Sequence, residues 1–289
     1  MLKSVVKIVA VIFALGFTES AFAEAGWRFM NIPQGARETA MGETGVANVG
    51  SGALVWWNPA ASAFGTSDIW FQGYSWILDG SGSFGGAKAR TNWGGFSAYY
   101  VTQGLDGFEV RDRPGEAQGE FTIHQSVFAV GTAVEPIKKL ALGVMYKTAF
   151  EDIYGDREDV WDVVDLGALY QLPWFNFGAS VTNLSLADDN TQTAMRFGLS
   201  RLFVLQEFDF TGALESVTYK DDDTELHLGV EAGWQETIYL RAGYIGGNDL
   251  RSVSFGLGAK VSAYHVDFAL TPFTSDLGTT WKFGIGMNL

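Results

Sequence analysis

Apolar side chains alternate with polar or small ones along the last stretch of the chain. One face carries Trp281, Phe283, Ile285, Met287 and Leu289, and the other carries Lys282, Gly284, Gly286 and Asn288. The same two-residue period runs through 225–234, 237–244, 252–260 and 263–270, and in weaker form through several stretches between 68 and 200. A period of two is typical of β-strands that have one apolar face. The pattern predicts an all-β chain.

Two architectures present such strands. In a soluble sandwich the apolar face points to a core, whereas in an outer-membrane barrel it points to lipid. The connections here alternate in length, as they do in barrels, where short periplasmic turns alternate with longer external loops. Long connections are predicted near 103–119, 151–162, 185–192, 215–224, 245–251 and 271–278, and short ones near 90–92, 135–139, 172–173, 205–206, 235–236 and 262. We therefore predict a transmembrane antiparallel β-barrel of about 14 strands over residues 68–289, with both chain ends on the periplasmic side.

The first 23 residues have the layout of a secretory signal peptide. Lys3 and Lys7 precede an apolar run over 8–15, and Ala21-Phe22-Ala23 supplies a small-x-small cleavage site. The apolar run is too short for a membrane anchor, which needs about 20 residues. We predict cleavage after Ala23 and export to the outer membrane of a Gram-negative bacterium, where lipid surrounds the barrel.

Composition excludes several function classes. The chain has 289 residues, no Cys and a formal net charge of −14. The missing Cys excludes a disulfide scaffold and Cys-ligated metals, and the negative charge argues against a nucleic-acid partner. No His pair has helical metal-ligand spacing, and no Gly-x-Ser-x-Gly elbow occurs. We therefore expect no catalytic residues, no metal and no cofactor, and an outer-membrane enzyme is kept only as a remote alternative.

Residues 24–67 precede the first predicted strand and combine many small residues with several aromatic ones. Asn58 can cap a short helix that starts at Pro59. The aromatic side chains Trp27, Phe29, Trp56, Trp57 and Phe64 are too apolar for a free linker. We predict that this segment forms a hatch inside the lumen; a periplasmic tether is the alternative.

The polar face of the last strands carries the charges predicted to point into the lumen: Glu231, Arg241, Lys260, Asp267 and Lys282. Opposite charges can pair across neighbouring strands and fix their register, or they can line a substrate path. If the hatch fills the lumen, Arg37 needs a carboxylate partner, because an unpaired charge in a confined lumen is costly. Glu231 and Asp267 are the predicted partners. We also expect the turn at 57–60 to lie beside Arg241 and Lys260.

The predicted external loops are acidic, with carboxylates at 151–152, 156, 158–159, 188–189 and 221–223. Acidic loops are usually solvated and kept extended by repulsion. Divalent-ion bridging to lipopolysaccharide or to a partner is the alternative, although the spacing matches no known ion-binding loop.

The order of several short motifs resembles the PorV/PorQ family, relatives of the FadL/TodX transporters of hydrophobic compounds. The motifs include Gly35-Ala36-Arg37, Ala40-Met41-Gly42, Trp57-Asn58-Pro59-Ala60, Val181-Thr182-Asn183-Leu184 and Leu240-Arg241-Ala242-Gly243-Tyr244. The resemblance implies a FadL-like barrel whose hatch carries the family motif at Gly35, Arg37, Met41, Gly42, Trp57, Asn58, Pro59 and Ala60. The chain departs from many barrels of the outer membrane by ending in Leu289 rather than Phe.

The resemblance implies two functions, and the sequence leaves both open. One is passage of hydrophobic or other small molecules across the outer membrane. The other is an accessory role in type IX secretion, in which the barrel binds secreted cargo or partner proteins.

Overall fold

A computed structural model describes residues 27–110, 119–153, 155–187, 191–220 and 222–289. The predicted signal peptide and its cleavage site lie outside the described residues, as do the acidic residues at 188–189 and 221.

The described residues form one closed antiparallel barrel of fourteen strands, which confirms the predicted fold. Each strand pairs with its neighbours in sequence, and the first strand closes the barrel against the last, with Asp68 opposite Asn288. The strands are β1 (Asp68–Ser75), β2 (Ser81–Arg90), β3 (Gly94–Val110), β4 (Gly119–Ile137), β5 (Leu140–Ile153), β6 (Asp156–Gln171), β7 (Asn176–Ser185), β8 (Ala194–Leu205), β9 (Phe208–Tyr219), β10 (Thr224–Trp234), β11 (Ile238–Gly246), β12 (Val253–Val261), β13 (Tyr264–Pro272) and β14 (Thr279–Asn288).

The two faces of the strands follow the predicted alternation. In β14, Trp281, Phe283 and Ile285 are about half exposed on the outside of the barrel, whereas Lys282 between them is only 1% exposed. Exposed apolar side chains continue around the outer surface on the other strands. Such a belt fits the hydrocarbon layer of a membrane.

The two ends of the barrel differ. We call the end with the connections 76–80, 111–118, 154–155, 186–193, 220–223, 247–252 and 273–278 the loop end, and the opposite end the turn end. Both ends of the barrel domain lie at the turn end, where the Leu289 amide donates a hydrogen bond to the Ser67 carbonyl at 2.9 Å. The predicted long connections therefore lie at the loop end and the predicted short ones at the turn end, although the β5–β6 connection, 154–155, is itself short.

Several predicted loops are instead strand. β5 continues to Ile153 and β6 begins at Asp156, so most of the predicted connection 151–162 is a paired hairpin. β3 likewise continues through the start of 103–119, and β9 continues to Tyr219. These predictions were wrong because strand pairing needs backbone hydrogen bonds but no apolar face, so a polar hairpin can extend beyond a membrane. β3 to β6 have 17, 19, 14 and 16 residues, against roughly 9–11 needed to span.

Residues 27–67 contain four short helices. Three are 3₁₀ turns, over Arg28–Asn31, Gly52–Trp56 and Pro59–Ala63, and α1 (Ala36–Ala40) is a single α-helical turn. As predicted, the Asn58 side chain caps the turn that starts at Pro59, accepting from the Ala60 amide at 3.0 Å. No helix among the described residues is long and apolar enough to cross a membrane.

Candidate functional site: the barrel interior

The N-terminal segment, residues 27–67, runs through the barrel from the loop end to the turn end. Near the loop end, Asn31 Nδ2 donates to the Gln192 carbonyl at 2.7 Å. At the turn end, Arg90 Nη1 donates to the Gly65 carbonyl at 3.1 Å. Between these points most side chains of the segment are buried against inward-facing residues of the wall. Any path through the barrel must therefore pass this segment.

Arg37 is bound to one wall of the barrel. Its Nε and Nη2 donate to the two carboxylate oxygens of Glu231 at 2.9 and 2.7 Å, which confirms the predicted partner. Glu231 also accepts from Arg241 Nε at 2.6 Å, directly across the β10–β11 pair. The second candidate, Asp267, contacts Arg241 Nη1 at 2.7 Å instead of Arg37. The interior charges thus form a chain of alternating sign.

The chain of charges continues to the turn end through His265. Its ring nitrogens lie 3.3 Å from Asp267 Oδ2 and 3.3 Å from Asp68 Oδ1. The other oxygen of Asp68 accepts from the Gly52 amide at 2.6 Å. The wall charges therefore reach the N-terminal segment at two separate places, the Arg37 side chain and the Gly52 amide.

A second ion pair holds the segment nearer the loop end. Arg251 Nε and Nη2 donate to both carboxylate oxygens of Glu43 at 2.6 and 2.9 Å. Burial by itself would raise the pKa of Glu43, but the attraction and hydrogen bonds of the Arg251 guanidinium outweigh it and lower this pKa to about 2. Glu43 therefore stays ionised at any physiological pH.

Glu215 is a functional anchor that sequence reasoning missed. One of its carboxylate oxygens accepts from the amides of Gly45 and Val46 at 2.8 and 3.0 Å, and the other accepts from Arg196 Nη1 at 2.9 Å. Glu215 falls within the connection predicted at 215–224. Apolar–polar alternation changes phase here, because Glu215 and Ser216 are both polar and Val217 and Tyr219 beyond them point inward, so the sequence carries no continuous signal for this end of β9.

The predicted hatch motif at 57–60 lies against a different wall from the predicted one. Trp57 packs under the Arg196 guanidinium at 4.7 Å, and its Nε1 donates to the Gln34 carbonyl at 2.9 Å. Asn58 Nδ2 donates to the Val46 and Ala168 carbonyls at 2.8 and 3.0 Å. Pro59 and Ala60 are buried against β5 and β6. The expectation that this turn lies beside Arg241 and Lys260 was wrong, because the segment crosses the lumen between α1 and residue 57.

Glycines of the wall let the segment approach the strands closely. Gly42 has a φ of +67°, and its amide donates to Ser254 Oγ at 3.0 Å. A Cβ on Gly243 would lie 1.8 Å from the Gly42 nitrogen. Gly35, with a φ of +88°, precedes α1. Met41 follows the end of α1 and is fully buried. The backbone of the segment therefore rests directly on the backbone of β11.

Three interior lysines, Lys282, Lys260 and Lys88, behave differently from the predicted ion pairs. Lys282 Nζ donates to the Pro33 carbonyl and lies 4.7 Å over the Tyr74 ring. Lys260 is half-buried and lines a cavity at the turn end. Lys88, which was not predicted, donates to the Phe64 carbonyl at 3.0 Å. These lysines hold or face the segment without a carboxylate within ion-pair distance in the described part of the chain.

Two cavities lie on opposite sides of the segment. The loop-end cavity has a volume of about 580 Å³ and is lined by segment residues 28–29 and 31–33 together with apolar side chains such as Trp76, Ile77 and Leu105. The turn-end cavity, of about 330 Å³, is lined by Arg37, Glu231, Arg241, Lys260 and Asp267 among others. The described residues contain no cluster of three or more His, Asp or Glu side chains arranged to hold a metal ion.

Comparison with solved structures shows where this barrel belongs among known folds. It is similar to a structure described as "CymD monoaromatic hydrocarbon channel", with 13% identity, a TM-score of 0.62 and coverage of 88% of this chain and 97% of that one. It is also similar to the Pseudomonas putida toluene transporter TodX (10%, TM-score 0.62, 89% and 98% covered) and to a Pseudomonas aeruginosa FadL homologue (10%, TM-score 0.54, 87% and 97% covered).

At these identities the likeness shows the fold, a FadL/TodX-like barrel, and it bears on function only as support for a proposal. No protein-family model and no curated protein matches the chain. The PorV/PorQ resemblance therefore stays a prediction.

Proposed function

We propose that this protein lets hydrophobic small molecules cross the outer membrane through its barrel, with residues 24–67 acting as the hatch that controls the path. The observation that carries the proposal is the position of the N-terminal segment, which separates a loop-end cavity from a turn-end cavity inside a closed barrel. The similar structures named as a hydrocarbon channel and a toluene transporter support it.

The surface of the barrel supports a place in the outer membrane of a Gram-negative bacterium. We infer from the sequence that a signal peptide cleaved after Ala23 directs the chain there. Its outward side chains are apolar, and lipid is the partner that this belt fits. With short turns in the periplasm, the loop end faces the outside and its cavity is the entrance.

Apolar side chains continue from the entrance into the interior of the barrel. The loop-end cavity touches Phe29, which belongs to a buried cluster with Trp56, Phe84 and Tyr99. Neighbouring rings in this cluster lie 5.5 to 6.0 Å apart. An apolar molecule leaving water gains favourable free energy in such surroundings, whereas a hydrated ion does not.

Uptake measurements test this function. Cells that lack their own barrels of this class would receive the wild-type protein or Leu105→Asp, which places a charge in the apolar wall of the entrance. We expect wild-type cells to take up radiolabelled butylbenzene faster than empty cells, and Leu105→Asp to reduce the rate severalfold. Ile153→Asp is the control, since Ile153 is exposed at the loop end and does not line the cavity. Equal uptake by empty and wild-type cells would contradict the proposal.

A role as accessory barrel of type IX secretion is the second candidate. The observation in its favour is the length of β3 to β6, which project beyond the span of a membrane at the loop end. A projecting sheet can bind a cargo or partner protein. Co-purification of secreted proteins with the wild-type barrel, and their loss after shortening the β5–β6 hairpin, would favour this role over transport.

A further inference from the structure

We infer that the loop-end cavity binds apolar molecules that carry a protonated amine, and that it rejects those that carry a carboxylate. The inference rests on the proposed function, because it names the class of molecule that the entrance selects.

One wall of the cavity is apolar. Phe29, Trp76, Ile77, Leu78 and Leu105 contribute to it, and Leu78 is 63% exposed. Trp76 is held in place by an edge-on contact with Phe273, with ring centroids 5.5 Å apart. This wall can cover the hydrocarbon part of a ligand.

The opposite wall is acidic. Four carboxylates line the cavity, from Asp222, Asp223, Glu225 and Asp249. Asp222 Oδ2 accepts from Gln192 Nε2 at 2.7 Å, which fixes the direction of its side chain. Carboxylates attract cations and repel anions, and their electric field is stronger in a partly closed space because its walls screen the field less than bulk water does.

The two basic groups of the wall are already bound to carboxylates. Arg251 donates to both oxygens of Glu43, and Arg28 Nη1 lies 3.6 Å from Asp222 Oδ2. Lys282 is buried beneath Pro33 and does not line the cavity. A carboxylate ligand would therefore have to displace Glu43, a buried acid that also fixes the N-terminal segment, or compete with Asp222 for Arg28. An ammonium ligand needs no such exchange at Asp223 and Asp249, whose carboxylates have no ion-pair or hydrogen-bond partner among the described residues, whereas Asp222 and Glu225 already bind Arg28 and His227.

Gln125 supplies an independent feature that suits an N–H donor. Its Nε2 donates to Glu151 Oε2, and this bond sets the orientation of the amide. Its Oε1 is buried and has no hydrogen-bond partner within the described residues, and Gln125 is one of the residues that line the cavity. A buried acceptor without a donor is costly, so a ligand N–H group that reaches it is favoured over a ligand that offers only acceptors.

Aromatic rings at the cavity floor already hold a cation. The Lys282 ammonium lies 5.3 Å from the Trp76 ring centroid and 4.7 Å from that of Tyr74. Because the Trp76 ring also borders the cavity, its π-electrons add a favourable surface for a ligand ammonium.

The test compares three ligands that share one phenylbutyl skeleton: 4-phenylbutylamine, butylbenzene and 4-phenylbutanoate. Binding is measured by isothermal titration calorimetry to the full-length protein in lipid nanodiscs at pH 7. We expect the amine to bind at least about tenfold more tightly than the carboxylate, with butylbenzene between them, and we expect salt to reduce the difference.

A double variant, Asp222→Asn with Asp223→Asn, removes two cavity charges while keeping side-chain size. It should lower the affinity for the amine, raise that for the carboxylate and leave butylbenzene unchanged. The matched control is Glu158→Gln with Asp276→Asn, which removes two exposed charges outside the cavity lining at the same end. Equal affinities of amine and carboxylate for the wild-type protein would overturn the inference.

The outcomes separate this inference from the proposed function. If butylbenzene binds and is taken up but charge makes no difference, the inference fails and the transport function stands. If the amine binds most tightly of the three ligands and yet none of them is taken up by cells, the cavity assignment stands and the transport function fails. The salt dependence is measured on wild-type protein, so the inference is tested even if the variants do not fold.

Discussion

Arg37 and Glu231 are 194 residues apart in the chain and form a two-bond ion pair inside the barrel, at 2.9 and 2.7 Å. The Arg37 side chain is 16% exposed and that of Glu231 is 7% exposed, so little water screens the pair. Glu231 also binds Arg241 of the wall, so the pair connects the N-terminal segment to the ion-pair chain of β10, β11 and β13. A contact of this kind bears on how firmly the segment closes the barrel.

The first prediction concerns this pair. Arg37→Ala should weaken attachment of the segment by about 2 kcal/mol, which is less than for a fully orphaned buried charge because Glu231 keeps Arg241. The measurement is the rate of chymotrypsin cleavage within residues 27–67 of the folded barrel. Arg157→Ala is the control: its pair with Asp159 is exposed and should contribute only about 0.5 kcal/mol or less. Equal cleavage rates in the two variants would show that Arg37 does not anchor the segment.

The second prediction concerns acid. Glu43 has a pKa of about 2 in the folded protein, below its ordinary value of 4.5, so its contribution is fully present above about pH 5. As pH falls from about 5 towards 2, the folded state must take up a proton at Glu43 and about 3 kcal/mol of attachment is lost. Chymotrypsin cleavage is not usable in acid, so pepsin cleavage of the segment between pH 5 and 2 is the measurement.

Arg251→Gln is the control for the acid prediction. Without the guanidinium, the lowered pKa of Glu43 loses its cause, so the variant should be weakly attached already at pH 6 and should change less on acidification. An identical acid response in wild type and Arg251→Gln would place the sensitive group elsewhere.

Alternation made the barrel predictable, because a two-residue period identifies a β-strand and also shows which of its faces is turned to lipid. In β11, for example, Leu240 is 59% exposed and Arg241 is 6% exposed, as the sequence predicts. The partner of Arg37 was also predictable, since confinement demands a carboxylate and few inward acids exist. These inferences need only the sequence of a single strand and the rule that burying an unpaired charge costs free energy.

The path of the N-terminal segment could not be predicted in the same way. Trp57 binds near Arg196 rather than near Arg241 because of how residues 41–56 cross the lumen, and that crossing depends on close contacts such as Gly42 against Gly243. Glu215 was missed for a related reason. Its polar neighbours resemble a loop, and the pairing of Glu215 with Gly198 of β8 and with His227 of β10 shows that it lies in the wall.

The third prediction concerns topology. Cysteines introduced as Asp156→Cys and Asp222→Cys lie at the loop end, whereas Glu236→Cys lies in the β10–β11 turn at the opposite end. If the loop end faces outward, an impermeant thiol reagent added to intact cells should label the first two and spare the third. Labelling of all three after membrane lysis shows that each introduced cysteine is reactive. The label can be assigned to the introduced cysteine because the native chain has no Cys. The reverse pattern on intact cells would invert the assignment.

The fourth prediction uses the close contact between the segment and β11. Gly243→Val places a side chain where a Cβ alone would lie 1.8 Å from the Gly42 nitrogen, so the segment must move away. We expect a cost of about 1–3 kcal/mol and faster proteolysis of residues 27–67. Gly212→Val is the matched control, because a Cβ there meets no atom within 4 Å. Similar protease resistance in both variants would mean that the wall accommodates the side chain without moving the segment.

The last prediction concerns the hatch as a whole. Deleting residues 24–67 behind an intact signal peptide should leave a folded barrel, because all fourteen strands of the described structure begin at or after Asp68. The exposed lumen then carries Glu231, Arg241, Lys282 and other charges that water can hydrate, so ion conductance in a planar bilayer should rise. A fourteen-stranded barrel lies between eight-stranded barrels filled by side chains and sixteen-stranded porins with an open channel, so the rise should be large but below that of a porin. Heat-modifiable migration on gels establishes that the deletion variant is folded, and full-length Gly212→Val serves as the intact reference. Unchanged conductance in a folded deletion variant would mean that residues 24–67 do not close the barrel and that its own wall residues do.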